Sequence, residues 1–419
     1  MSRAARREDG ADGTPRPARG RRAHSRLRRV ARAVVAVVLA LAGVLVVLEG
    51  PRVLGDAAER SGLDAFYVQP EGAAQGAPGT LVRSEALEGT PPGSRAWRVM
   101  YRSTDLAGRP IVVTGVVVTP LGRAPSGGRT VLAWGHPTTG TAADCAPSRS
   151  FDPFIGIEGM RMMLDRGYTV VATDYAGMGT DGPDSYLVGT TGAHTVLDAV
   201  RAAQHLDGAE AGSRVVLWGH SQGGQAVLLA AEDQPDYAPE LDVVAVAAAA
   251  PAADLTALVR SHLDDISGVT IGSYAFPAFA AVYGPTTPGA RLDAVLTPAA
   301  VAALPEMNRL CLLSHLGELH RIGDPLVGAF FAADPTTTEP WASLLRENSA
   351  GSRAISAPVF VAQGADDELV LPADTEAFVR TARERGDDVH LETVRRATHA
   401  TIAYLTLPAL DRWLREVAP

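Results

Sequence analysis

Residues 214–224 read RVVLWGHSQGG, and this stretch decides the fold. "VVLW" is short, continuous and apolar, as in a strand buried on both faces of a sheet. Gly219-His220-Ser221-Gln222-Gly223 follows at once, and then "QAVLLAAED" begins a helix-like run. The pattern G-x-S-x-G between a strand and a helix makes a sharp, strained turn. The glycines let helix and strand approach closely, and the serine hydroxyl is lifted above the C-terminal edge of the sheet. Open α/β sheets bind their ligands at that edge. Ser221 is therefore a candidate nucleophile.

The runs on either side give the sheet its type. "RTVLAWGHP" (129–137), "YTVVATDY" (168–175), "DVVAVAAAAP" (242–251) and "APVFVAQG" (357–364) are further short Val- and Ala-rich strands. Helix-like stretches alternate with them: "FIGIEGMRMMLDRG", "AHTVLDAVRAAQHL" and "ADTEAFVRTARERG". Strand, helix, strand in repetition predicts an α/β fold with a mostly parallel, doubly wound sheet. Upstream, "WRVMYRST" and "IVVTGVVVTP" flank "DLAGRP" and read as a hairpin. The rhythm breaks after Pro251 and resumes near residue 356, which marks residues 252–355 as a mainly helical insertion.

A serine needs a base, and the base an orienting acid. Of ten histidines, His24 lies in a basic arm, His194 and His205 on one helix, His262, His315 and His320 in the insertion, and His390 in a strand. His220 sits inside the turn and cannot fold back onto its neighbour, and His136 ends an earlier strand. His399, in "RRATHAT" between the last strand and the last helix, remains as the base. In this fold the acid lies between serine and histidine in chain order. "VFVAQGADDELVLP" offers Asp366 and Asp367 there; Asp367 is preferred and Asp366 stays open. An oxyanion requires two backbone N–H groups. Gln222, next to the serine, supplies one. In "WGHPTTG" Pro137 has none, so Thr138 is the second donor, with Thr139 as its alternate.

Composition bounds the rest. At 46% hydrophobic and 20% charged, the chain of 419 residues can bury a large core, and every basic side chain except histidine is Arg. Residues 1–32 carry eleven Arg against Glu8, Asp9 and Asp12, or +8, which leaves −17 of the net −9 on the remainder. So acidic a body argues against a nucleic-acid partner. Residues 33–48 are sixteen apolar residues without a charge. As a helix they would cover about 24 Å, which suits a signal-peptide core or a short membrane anchor. Both place the bulk of the chain outside the cytoplasm, secreted or anchored. The expected organisation is a basic arm (1–32), that apolar segment (33–48), an approach segment (49–96), a core (97–251 and 356–419) and the insertion (252–355). Cys145 and Cys311, an even pair outside the cytoplasm, favour a disulfide over two free thiols. Closing so long a loop stabilises by roughly 4–5 kcal/mol in the loop-entropy model.

From about residue 66 to 413 the sequence resembles the α/β-hydrolase superfamily and, within it, the secretory lipases, a family that includes fungal lipase A-type enzymes and actinobacterial relatives. The resemblance rests on "RVMYRSTDLAGRPIVVTGVVVTP", "DCAPS", "RGYTVVATDYAGMGT", "GHSQGG", "QGADDELV" and "THAT". It implies Ser221 as nucleophile and His399 as base. It favours Asp367, because the family pattern G-x-x-D-x-x-V puts the acid three after Gly364, with Val370 following. It also implies an insertion that caps an acyl site, hydrolysis of carboxylic esters including acylglycerols, and no metal or organic cofactor. One departure is Asp184-Ser185-Tyr186, where relatives tend to have His-Pro-Tyr. The expectation is thus an extracytoplasmic serine esterase or lipase. The membrane is a partner only if the N-terminal segment is retained. The same residues would serve an acyltransferase with an alcohol acceptor, and a surface-anchored binding module is the reading of another class. Apolar runs in the insertion, such as "YAFPAFAAVY" (274–283), are expected to wall the acyl chain, and Pro and Gly at its joints to let it move as a lid.

Overall fold

The computed structural model describes residues 63–418, so the basic arm and the apolar segment 33–48 lie outside the described residues. The chain divides into two units, residues 1–66 and 67–419. The second unit holds nine strands: β1 (Leu81–Ala86), β2 (Ser94–Thr104), β3 (Pro110–Pro120), β4 (Arg129–Gly135), β5 (Thr169–Thr173), β6 (Ala211–His220), β7 (Asp242–Ala249), β8 (Val359–Gly364) and β9 (Val389–Val394). Their order is β1-β2-β3-β5-β4-β6-β7-β8-β9. The first three and the β3–β5 pair run antiparallel, and all pairs from β5 to β9 are parallel. This is the expected α/β-hydrolase architecture.

Side-chain alternation explains why the central strands are apolar throughout. In β4, β6 and β7, Val131, Ala133, Val215, Leu217, Val246 and Ala248 fill one core, under the helices Gly189–Gln204, Gln222–Tyr237 and Pro372–Arg385. Their neighbours Leu132, Trp134, Val216, Trp218, Ala245 and Ala247 fill the other, against the short helix Met160–Asp165 and the C-terminal helix Leu407–Val417. A strand covered on both faces has no solvent face to keep polar.

Two boundaries differ from the sequence reading. The sheet starts at Leu81, inside the expected approach segment; β1 is an edge strand whose Arg83, Ser84 and Glu85 hide its pattern. In "FIGIEGMRMMLDRG" only Met160–Asp165 is helical, because Gly159 takes a left-handed φ of 83° at the helix start.

Between β7 and β8 the chain leaves the sheet and forms the helices Leu255–Ser261, Ile266–Tyr283, Pro298–Met307, Leu312–Gly323 and Trp341–Glu347. They share a third apolar core with Tyr186, Leu187 and Val188 of the loop before Gly189. Among the described residues, Ile266–Tyr283 alone has the length and composition to cross a membrane, but most of it is buried in this layer. Cys145 and Cys311 form a disulfide that ties the layer to the loop after β4. Beside it the Leu312 amide donates to the Thr139 carbonyl (2.8 Å).

Where β6 turns into its helix, three glycines meet. A Cβ on Gly223 would collide with the Gly135 carbonyl, and one on Gly219 with the Gly223 carbonyl. Both obstacles are backbone and cannot swing aside. Gly223→Ala is therefore expected to cost about 3 kcal/mol or more, the upper range for overpacking. A denaturant midpoint equal to that of the parent would contradict this packing account.

Candidate active site

The close approach at the glycines fixes the next residue. Ser221 has φ 57° and ψ −117°, outside the regions an L-residue favours. Its amide donates to Ala249 O (2.9 Å), and its carbonyl accepts from Gln225 N and Ala252 N (both 3.1 Å), which over-determine the strained backbone. Among the described residues six non-glycine residues have positive φ, and four of them besides Ser221 flank this region: Tyr175, Leu187, Ala250 and Arg396. Tyr175, Ala250 and Arg396 each lie within two residues of a C-terminal strand end. Strain of this kind persists only where the surroundings enforce it, and it clusters at functional sites.

Three of the expected residues meet. His399 Nε2 lies 2.9 Å from Ser221 Oγ, and His399 Nδ1 lies 2.9 Å from Asp367 Oδ2. A carboxylate accepts, so Nδ1 carries the hydrogen and donates it; Nε2 is left to accept from the serine hydroxyl. Asp367 is 3% exposed, and its other oxygen accepts from the Leu369 and Val370 amides, both at 2.9 Å. Asp366, the alternative, is exposed, and its amide donates to the Ala397 carbonyl (3.0 Å). The neighbours therefore divide in the loop after β8, one carboxylate inward and one to solvent.

The Gln222 amide opens the helix Gln222–Tyr237 and has no intrahelical acceptor. Thr138 stands on the facing loop; among the described residues its amide donates to no other group, and its hydroxyl is paired with Tyr186 Oη (2.7 Å). The Thr139 carbonyl is engaged by the insertion. His136 braces the loop rather than facing the serine. Its Nδ1 donates to the Pro137 carbonyl (2.7 Å), its ring packs on Tyr175 (4.4 Å), and the Tyr175 hydroxyl donates to the His136 carbonyl (3.0 Å). Burial pulls its pKa down to about 4, so it is neutral at pH 7.

Two cavities adjoin. One is lined by Ser221, Gln222, Thr138, Tyr186, Leu369 and Val370, together with Leu187, Leu258 and Ile271. Those last three residues also line a second, apolar cavity inside the insertion, where Gly272, Ala275 and Phe276 extend it. The second has a cavity volume of about 20 Å³, so it is a slender slot. Phe330 is packed in the core of the insertion, and its neighbour Phe331 lines the slot. Among the described residues no cluster of His, Cys, Asp or Glu is arranged to hold a metal ion.

Sequence reasoning missed several residues here. Tyr186, at the departure from the family pattern, reaches the Thr138 hydroxyl across the pocket. His262 of the insertion takes Asp265 on Nδ1 (2.7 Å) and donates from Nε2 to the Leu369 carbonyl (2.8 Å), holding the loop that carries Asp367. Glu158 pairs with His220 under the elbow. Its one sequence signal is a carboxylate within the apolar run "FIGIEGM".

Comparisons with known proteins bear on the family and the fold. The family model described as secretory lipase matches residues 156–417. Lipase 5 of Candida albicans is 26% identical over 84% of this chain and 79% of its own length. A Mycobacterium tuberculosis protein described as a probable inactive lipase is 24% identical over 84% of this chain and 81% of its own. Among solved structures, Candida antarctica lipase A superimposes with a TM-score of 0.69 at 18% identity, covering 84% of this chain and 86% of that one, a likeness of fold. With its model matched over more than half of its length, the chain belongs to the secretory lipase family, carboxylic ester hydrolases of α/β-hydrolase fold.

Proposed function

We propose that the protein is an extracytoplasmic serine esterase that acts through an acyl-enzyme on Ser221 and takes esters of long-chain acids such as acylglycerols. The observation that carries this reading is the hydrogen-bonded series Ser221–His399–Asp367 on a strained turn, at the mouth of an apolar slot. Ser221 Oγ attacks the ester carbonyl while His399 Nε2 takes its proton. Asp367 fixes the tautomer and stabilises the imidazolium. The Gln222 and Thr138 amides hold the oxyanion, His399 returns the proton to the departing alcohol, and water then releases the acid by the same steps in reverse roles. One similar protein is described as inactive; here the intact series of three side chains supports turnover. The disulfide and the apolar segment 33–48 support a location outside the cytoplasm.

Residues 252–355 serve in this reading as the cap that walls the acyl chain. Each methylene placed in an apolar site is worth about 0.8 kcal/mol, about fourfold, so a slot matched to several carbons selects chain length strongly.

Ser221→Ala is expected to lower kcat on the order of 10^4-fold or more with folding intact, and Asp367→Asn by on the order of 10^4-fold. Asp366→Asn should stay within a few-fold of the parent. Steady-state kinetics on a soluble ester checks all three; a severe Asp366 variant beside a mild Asp367 variant would mean the acid is misassigned.

Chain-length preference tests the slot. A charge at Phe276 would be buried and would unfold the cap, so a filling variant is the better probe. Ala275→Phe should cut kcat/KM for a dodecanoate ester at least about tenfold while leaving a butyrate ester within about threefold. Equal losses on both esters would place the acyl chain elsewhere.

A further inference from the structure

His220, excluded as a base by its position, is buried at 3% exposure beneath the elbow. Its Nε2 lies 2.9 Å from the carbonyl oxygen of His399, and its Nδ1 is hydrogen-bonded to Oε1 of Glu158 (3.3 Å), a carboxylate that is 6% exposed. A carbonyl oxygen only accepts, so Nε2 carries a hydrogen. A second proton then lies between Nδ1 and Glu158, whichever of the two atoms holds it. If it were absent, a bare nitrogen would face a carboxylate in a buried site, an arrangement with no compensating hydrogen bond. The Glu158 backbone is itself fixed, because its carbonyl accepts from Trp218 Nε1 (2.8 Å) on the same strand as His220.

The loop that carries His399 has need of such a support. Residues 395–401 are exposed at five of seven positions, and Arg396 sits at φ 60°. The Asp366 amide holds the loop at the Ala397 carbonyl (3.0 Å), two residues short of the imidazole. The bond from His220 acts on His399 itself, and the two rings stand 5.1 Å apart.

We propose that Glu158 and His220 are positioning residues: the Glu158 carboxylate orients the His220 imidazole, which pins the His399 backbone so that its ring stays between Ser221 and Asp367. This inference rests on the reading of those three as the reacting residues. A base displaced by about 1 Å costs on the order of a hundredfold in rate without weakening substrate binding. The pair is thus expected to act on kcat and not on KM.

Glu158→Ala, Glu158→Gln, His220→Gln and Ser221→Ala in the full chain test it, with kinetics on a soluble ester, melting temperature and the rate at which a fluorophosphonate labels the serine. Glutamine at 158 can donate its amide hydrogen to a neutral Nδ1 and leave the Nε2 bond in place. The expected result for Glu158→Ala is a kcat lower by about ten- to a hundredfold, KM within about threefold, and labelling slowed in parallel; Glu158→Gln should remain within about threefold of the parent. His220→Gln, too short to span both partners, should resemble Glu158→Ala. If Glu158→Ala fails to fold, a slow His220→Gln beside an active Glu158→Gln carries the same conclusion. The proposal is overturned if Glu158→Ala or His220→Gln keeps the parent kcat, if KM moves instead of kcat, or if Glu158→Gln falls as far as alanine. Turnover that survives in Ser221→Ala would instead overturn the underlying assignment of the nucleophile.

Discussion

The contact on which the rest depends is backbone against backbone. Gly223 packs on the carbonyl of Gly135, one strand away, with no Cβ between them. That approach brings the helix Gln222–Tyr237 so near β4 and β6 that the one residue joining strand to helix must take a positive φ. Ser221 is that residue, and its hydroxyl stands at the sheet edge as a result. The same contact brings the loop after β4, with Thr138, opposite the Gln222 amide. A serine in an ordinary turn would not be held at that edge.

The remaining groups are brought to that hydroxyl by loops, and each loop is held by specific bonds in addition to its apolar packing. The loop after β8 is folded around Asp367, which accepts two of its amides, and is tied to the insertion by His262. The loop after β9 is tied to the elbow by His220. The loop after β4 is tied to the insertion by the disulfide and the Leu312 amide. A buried donor or acceptor costs more when left unpaired than it contributes when paired, so these bonds specify one arrangement sharply. Where the helix Gly189–Gln204 meets β2 the same chemistry is structural: Asp198 accepts from Ser103 (2.6 Å), Tyr237 (2.7 Å) and Arg201 (2.8 Å), and burial raises its pKa.

Much of this was legible in the sequence, for a physical reason. Strands covered on both faces and a turn that tolerates only glycine leave local signatures, so "RVVLWGHSQGG" carried both the fold and the position of Ser221. Chain order narrowed the acid to Asp366 or Asp367 and the base to His399, since each follows a strand at the same sheet edge, and the family resemblance favoured Asp367. What was not legible depends on contacts across long separations. Glu158 and His220 meet over 62 residues, and Thr138 and Tyr186 over 48; no local pattern says which distant partner each will find. β1 was hidden because an edge strand keeps polar side chains, and Phe331, which lines the slot, could not be told from the core residue Phe330 without the turn that orients them.

The central claim is that the strained, buried serine is the residue that carries the acyl group. It is tested most directly by mapping where a fluorophosphonate with a long alkyl chain attaches. A single adduct on the peptide containing Ser221, formed more slowly when a long-chain ester competes, is the result this account predicts. An adduct on another residue, or none on the folded protein, would contradict it.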